Sequence, residues 1–270
     1  MRNIAAFALI TVLFISCVFS CASTSGASNT SEASTSPPSI QEQAKSGYWI
    51  TRPLGNTITV IGISNPMIKR ETEVDSAKAD AARKVALFHG VQGKIEYYNK
   101  TGTRGFFDAV NLSSIDLDYD KNIEQYIEQL KYDPERDVFI NDDGTVFIRF
   151  QYSAAMEPVE YISTRDKSGR PSWVSGGMPQ IEGYMCAIGL AQRQMRIKDT
   201  IAKSTDAAVA RIIQDISTHV QTSEHTQTGS SSGDIYTKSE GKLDKFLVLE
   251  FWIDPAKGNV YTLALARKVD

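Results

Sequence analysis

The chain has 270 residues, of which 41% are hydrophobic, 9% aromatic and 23% charged, and its formal net charge is −3. These proportions are typical of a globular protein, and they exclude collagen, coiled-coil, wholly disordered and multi-span membrane classes. The slightly acidic balance, with a pI near 5.7, gives no electrostatic reason to expect a nucleic-acid partner.

The first twenty residues have the pattern of a secretory signal peptide. A short basic start, Met1-Arg2-Asn3, precedes an almost unbroken apolar run over residues 4–19. That run is shorter than the roughly 20 residues that a membrane-spanning helix needs, and no basic flank follows it. We therefore expect residues 1–20 to be a signal peptide that is removed.

The end of this segment predicts a lipid anchor. Val18-Phe19-Ser20-Cys21 resembles a bacterial lipobox, in which a small residue precedes the cysteine that is acylated. Cys17 ends a second possible box, and an ordinary secreted protein without a lipid is the alternative; the pattern favours Cys21. Ala22 is not the aspartate that retains lipoproteins in the inner membrane of some bacteria, so we expect the outer membrane.

Residues 21–46 are predicted to form a flexible linker. Ala22 to Ser46 contains eight Ser and three Thr, and it has too little apolar surface to fold. A flexible coil of this length spans roughly 28 Å, so a lipid on Cys21 would hold the folded part close to a membrane. Cys186 is then the cysteine that remains unmodified, in an apolar run that favours a buried, unreactive thiol.

The remainder of the chain has the pattern of one unit written twice. We predict α+β domains over residues 47–155 and 170–270, each a helix packed on a small antiparallel sheet. Three landmarks recur at offsets of 124, 127 and 126 residues, namely Trp49 and Trp173, Gly62 and Gly189, and Asp80 and Asp206. Apolar steps of three and four predict one helix over residues 74–88, which Gly90 stops, and another over residues 201–220.

Each copy is predicted to close with a hairpin. The strands flank Asp143-Gly144 in the first copy and the turn from Asp254 to Gly258 in the second. Residues 246–253 are predicted to be a central buried strand. The first copy carries an acidic insert over about residues 114–132, whose tail has helical spacing. The polar stretch over residues 221–240 is predicted to be a long hairpin or loop.

Short motifs in the second copy resemble the Lpp-twenty family of bacterial envelope lipoproteins, and the first copy carries them more loosely. They are Pro171-Ser172-Trp173-Val174, Ala187-Ile188-Gly189-Leu190-Ala191, Asp206-Ala207-Ala208-Val209-Ala210-Arg211, Trp252-Ile253-Asp254 and Gly258-Asn259-Val260-Tyr261. The resemblance implies an envelope lipoprotein with a helix-on-sheet domain. Related domains occur in a flagellar basal-body ring protein, which implies a role in assembly. The family supplies no catalytic residues.

The sequence predicts no catalytic, cofactor-binding or metal-binding residues. The chain has three histidines, which are His89, His219 and His225. None has a His or Cys at the spacing of metal ligands, and the first two fall near predicted helix ends, where a helix dipole favours a cation. Residues 116–120 resemble the start of a calcium loop, but Lys121 and Ile127 stand where that loop has glycine and glutamate. A solvated acidic surface is the prediction there.

Trp49 and Trp173 are the candidate ligand contacts. As core residues beneath each sheet they need no further role, but as paired aromatic platforms they would contact a sugar or a peptide. We therefore expect a non-enzymatic envelope component, held on a membrane by a lipid on Cys21, that binds another envelope protein. The alternatives are a module that binds a small molecule or cell-wall fragment between the two copies, and an envelope hydrolase.

Overall fold

The computed structural model describes residues 40–45, 48–51, 56–100, 112–156, 159, 161, 163–175, 177–224 and 234–269. The predicted signal peptide, Cys17, Cys21 and most of the predicted linker lie outside these residues, and so does His225. All described residues fall in one unit that extends from Pro37 to Asp270.

The described residues form five helices and nine strands. In chain order they are α1 Ile40–Lys45, β1 Tyr48–Ile50, β2 Thr57–Ser64, α2 Arg70–His89, β3 Val91–Lys100, β4 Leu112–Tyr119, α3 Glu124–Ile127, β5 Val138–Ile140, β6 Val146–Ser153, α4 Ser172–Ser175, β7 Met185–Ala191, α5 Ile197–Glu224, β8 Asp234–Ile253 and β9 Val260–Lys268. The predicted α+β class, with both main helices and both hairpins, is confirmed.

The strands form two antiparallel sheets. The small sheet has the order β2-β6-β5, and the large sheet has the order β4-β3-β8-β9-β7, with β1 also paired to β8. β8 is the central strand of the large sheet, as predicted, because it pairs with β9 on one side and with β3 and β1 on the other. β8 has 20 residues, and β3 pairs with its first half while β1 pairs near its end.

Helix α2 packs on the small sheet through the face that its apolar spacing predicts. Ala77, Ala81 and Val85 are buried in one cluster with strand residues such as Ile58 and Ile148. Helix α5 covers one face of the large sheet, where Ile212 packs in a second cluster that also contains residues of β3, β8 and β9. Glycines allow each helix to approach: a Cβ at Gly62 would overlap the carbonyl oxygen of Ala77, and one at Gly189 would overlap that of Ser204.

Three sequence expectations need correction. The predicted flexible linker does not extend to residue 46, because α1 is helical and its Ile40 is fully buried. The predicted helical insert at 114–132 is strand β4 up to Tyr119, and its helix covers only Glu124–Ile127. The predicted polar loop at 221–240 is helix as far as Glu224 and strand from Asp234, with residues 225–233 outside the described part.

The predicted boundary between two domains passes through a shared sheet. Strands β1, β3 and β4 belong to residues 47–155 in sequence, yet they pair within the sheet formed by residues 170–270. The acidic stretch lies in β4, which pairs with β3. Its outward residues Asp116 and Asp118 are exposed, so the acidic stretch is the solvated surface that the sequence predicts.

Candidate functional site

The two candidate ligand-contacting tryptophans both lie in the core. Trp49 is buried and stacks between Phe147 and Phe251, with ring centroids 4.4 and 5.5 Å away. Trp173 is buried as well, and its Nε1 donates a hydrogen bond of 2.7 Å to Oε2 of Glu250. Both indoles are core residues, and neither offers an open face on which a sugar or a peptide could stack. The indole N–H of Trp173 provides a hydrogen bond to the fully buried carboxylate of Glu250. No pattern in the sequence predicts this pair.

Cys186 has the environment of an unreactive thiol. It is a free cysteine of intermediate exposure, and burial raises its pKa to about 11. Its thiolate, the nucleophilic form, is therefore scarce at neutral pH.

His89 lies at the end of α2 as expected, but burial lowers its pKa instead of stabilising a cation. Its Nε2 lies 2.9 Å from the hydroxyl of Tyr152, and its ring stacks on Tyr126 at 5.3 Å. Tyr126 in turn donates to Asp120 at 3.1 Å, and burial raises the pKa of Tyr126 to about 12. Burial lowers the pKa of His89 although the nearby Asp120 opposes that shift. The contacts of His89 with Tyr126 and Tyr152 tie α2 to α3 and β6. The side chain of His219 lies outside the described part.

The space between α2 and α5 is too small for a ligand. Two cavities there have volumes of about 20 and 10 Å³, room for a water molecule or so. Charged groups close this interface: Arg83 of α2 pairs with Asp206 of α5 at 3.2 Å. Burial raises the pKa of Asp206, and the guanidinium of Arg83 opposes that rise.

The outer edge of β2 is closed by side chains of α2. On the side away from β6, the backbone N–H of Ile63 donates to Oδ2 of Asp80 at 3.0 Å, and Nζ of Lys84 donates to the carbonyl of Ile61. Asp80 and Lys84 form an ion pair of 2.8 Å with each other. The pair therefore takes the place of a neighbouring strand and satisfies the open edge.

The outer edge of β7 has no such cover among the described residues. Within them β7 pairs only with β9, and its seven residues include no charged side chain. Leu190 on this strand is 50% exposed. An uncharged edge strand without a cap is a template for pairing with another chain.

A larger cleft opens where loops of both halves meet. It has a volume of about 600 Å³ and is lined by the end of α1, the β5–β6 turn, the loop before α5 and the β8–β9 turn. Its polar lining includes Asn141, Asp143, Arg193 and Gln194, and Met195 borders it with its side chain fully exposed. This cleft lies between the halves, as the small-ligand alternative requires, but it has no aromatic lining.

No further site emerges from metal-binding chemistry or from comparison with other proteins. Within the described ranges, no group of three or more His, Cys, Asp or Glu side chains is placed to hold a metal ion. None of the helices in those ranges combines the length and hydropathy that crossing a membrane requires. Searches against protein-family models, curated proteins and solved structures gave no match.

Proposed function

We propose that this protein is a lipid-anchored component of the bacterial cell envelope that acts in assembly by binding another protein, without catalysis. The lipobox pattern at Cys21 and the resemblance to envelope lipoproteins support the anchor and an outer-membrane location. In this proposal the acyl chain fixes the protein to a membrane, and the segment before Ile40 sets its reach. The folded unit then presents a binding surface.

The open edge of β7 carries the protein-binding part of the proposal. It is uncharged, it has an exposed leucine, and no described residue caps it. A partner strand added there would gain main-chain hydrogen bonds, and Leu190 would contribute side-chain contact. The closed edge of β2 in the same molecule shows how this fold satisfies an edge that is not used.

The proposal includes a duplicated unit, in which β2, α2, β5 and β6 correspond to β7, α5, β8 and β9. The strand orders β2-β6-β5 and β7-β9-β8 support this correspondence. So do Gly62 and Gly189, which face the helix carbonyls of Ala77 and Ser204 at the same offset of 127 residues. The tryptophans do not correspond, because Trp49 is in β1 and Trp173 is in α4.

The test is affinity purification of the tagged protein from detergent-solubilised envelope. We compare the native chain with Leu190→Lys, which places a charge on the open edge, and with Met178→Lys as a matched control. Met178 is similarly exposed, at 46% against 50% for Leu190, and lies outside the strand. We expect a stoichiometric protein partner with the native chain and Met178→Lys, and its loss with Leu190→Lys.

A Cys21→Ser variant tests the anchor in the same experiment. We expect it to lose the lipid, seen as a change in mass, and to recover less partner. Absence of any stoichiometric partner from the native chain would overturn the assembly role. Equal recovery of the partner with Leu190→Lys and with the native chain would show that the binding surface is not the edge of β7.

The cleft of about 600 Å³ favours a second function, binding of a small molecule or cell-wall fragment between the halves. Arg193 and Asn141 would supply polar contacts for such a ligand. An empty pull-down together with binding of cell-wall fragments, lost on Arg193→Ala, would favour this function over the first.

A further inference from the structure

Two apolar side chains are completely exposed at matching places in the fold. Ile68 lies in the loop between β2 and α2, and Met195 lies in the loop between β7 and α5. Their exposures are 103% and 99% of the reference values. Single exposed apolar residues are common on protein surfaces, but these two occupy equivalent loops, each two residues before a main helix begins.

Both loops lie at the same end of the molecule. Lys198, near the start of α5, places Nζ 3.4 Å from Oγ of Ser76 in the second turn of α2, and Arg83 contacts Asp206 further along. The two contacts show that the helices run parallel. At 1.5 Å per residue the helix starts are displaced by roughly 7 Å along the axis, so Ile68 and Met195 project from a common end.

The loops are braced, so the exposure belongs to their folded shape. The backbone N–H of Met67 donates to Oε1 of Glu73 at 2.8 Å. The equivalent N–H of Gln194 donates to the hydroxyl of Thr200 at 3.0 Å. Each bond ties the loop residue before the apolar tip to the first turn of the helix that follows.

Positive charges adjoin both tips. Lys69 and Arg70 follow Ile68, and Arg193 and Arg196 flank Met195; all four side chains are exposed. Arg70 pairs with Glu73, and the exposed Glu71 and Asp199 lie in the first turns of the same helices. Lys69, Arg193 and Arg196 form no ion pair with another described residue. Apolar tips with basic residues beside them fit the boundary between acyl chains and anionic headgroups.

The chain enters the fold at this end. Ala44 and Lys45 of α1 line the same cleft as Met195. Since α1 has six residues, the described chain starts within roughly 9 Å of that cleft. Cys21 is connected to the fold through this point.

We propose that this end rests on a membrane surface with anionic headgroups, with Ile68 and Met195 inserted at the interface. The proposal takes from the proposed function that the protein is attached to a membrane, and adds which face meets it. The open edge of β7 then stands beside the membrane, accessible to a protein partner.

Tryptophan quenching by brominated lipid tests the contact. We prepare full-length Ile68→Trp, Met195→Trp and Met178→Trp and reconstitute each into vesicles of phosphatidylcholine and phosphatidylglycerol, with or without bromine on the acyl chains. The three native tryptophans are buried, so the difference from the native chain isolates the new one. Met178 precedes the start of β7, away from the β7–α5 loop, and serves as the control.

We expect brominated chains to quench roughly half of the added emission at positions 68 and 195 and little at 178. Vesicles of phosphatidylcholine alone should reduce the quenching, because the basic residues lose their counter-charge. Equal quenching at all three positions, or none at 68 and 195 in protein that floats with the vesicles, would overturn the proposal and leave these tips to a protein partner.

Flotation of the same samples separates this proposal from the anchor. Quenching at positions 68 and 195 that persists in a Cys21→Ser background supports the membrane face even if the lipid anchor fails. Protein that does not float with vesicles in either background contradicts both the anchor and the membrane face.

Discussion

The strands β2 and β7 each lie at the edge of a sheet, but the first edge is capped and the second has no cap among the described residues. Each is an edge strand, carries a glycine against the helix that follows it, and leads into a braced loop with an exposed apolar tip. The β2 edge is capped by the Asp80–Lys84 pair. At the offset of 127 residues set by the glycines, α5 has Ala207 and Arg211 instead.

That difference explains how one fold yields two kinds of edge. An alanine has no group to accept from a strand N–H, and Arg211 is exposed and pairs with Asp215 at 3.6 Å. The α5 half therefore gives β7 no substitute partner. Side chains of α2 bond to the edge of β2, whereas the edge of β7 has no such cap among the described residues.

Substituting the shared glycines should have the largest effect. Gly62→Ala and Gly189→Ala each place a Cβ on a helix carbonyl that cannot move without shifting the helix. We expect each to lower the free energy of unfolding by about 3 kcal/mol, measured by chemical denaturation. Gly177→Ala is the control, because no atom lies near its Cβ and its φ is unstrained. A tolerated alanine at one glycine alone would break the correspondence between the halves.

The tryptophan pair tests the correspondence that the sequence suggested and the structure rejects. Trp173→Phe removes the hydrogen bond to the buried Glu250, and we expect a loss of about 2 kcal/mol beyond the lost volume. Trp49→Phe loses similar volume, but its Nε1 has no hydrogen-bond partner among the described residues. The difference between the stability losses of the two variants, measured by thermal unfolding, therefore isolates the Trp173–Glu250 hydrogen bond. Equal losses would show that this hydrogen bond does not stabilise the fold.

The edge cap offers a comparison at equivalent positions. Lys84→Met removes the donor to Ile61 and the partner of Asp80, and we expect a cost of about 1 kcal/mol with faster hydrogen exchange at the Ile63 amide. Arg211→Met breaks only an exposed ion pair and should change stability by less than about 0.5 kcal/mol. If both variants lose the same stability, the cap does not distinguish the two edges.

Local signals in the sequence predicted the helices and hairpins, because spacing and turn residues act over a few positions. The prediction of a helical insert missed β4, although the sequence carries its signal: Ile115, Leu117 and Tyr119 alternate with Asp116 and Asp118, the period of a strand. The helix α1 buries Ile40 and Gln43, and Ile40 packs in a core built from distant strands. No local pattern in the sequence predicts this burial.

The assignment of strands to sheets and the cap could not be derived from the sequence. Pairing of β3 with β8 joins residues more than a hundred positions apart, which periodicity does not encode. The triplet beginning at Asp80 recurs at an offset of 126, one residue less than the offset of 127 between the glycines that face the helices. Its function as an edge cap depends on Lys84, one turn later, and on where β2 lies.

The smallest expected effect is a pH dependence that comes from His89. Burial lowers the pKa of His89, so the unfolded chain binds a proton more readily than the folded chain. Stability from this residue is therefore present above the unfolded value near 6.5 and is lost as pH falls below it towards the folded pKa. We expect denaturation midpoints to decline between about pH 7 and pH 5, and His89→Gln to flatten that decline. Tyr152→Phe, which removes only the hydroxyl facing His89, is the control for loss of that hydrogen bond. A pH profile that is unchanged in His89→Gln would assign the decline to other groups.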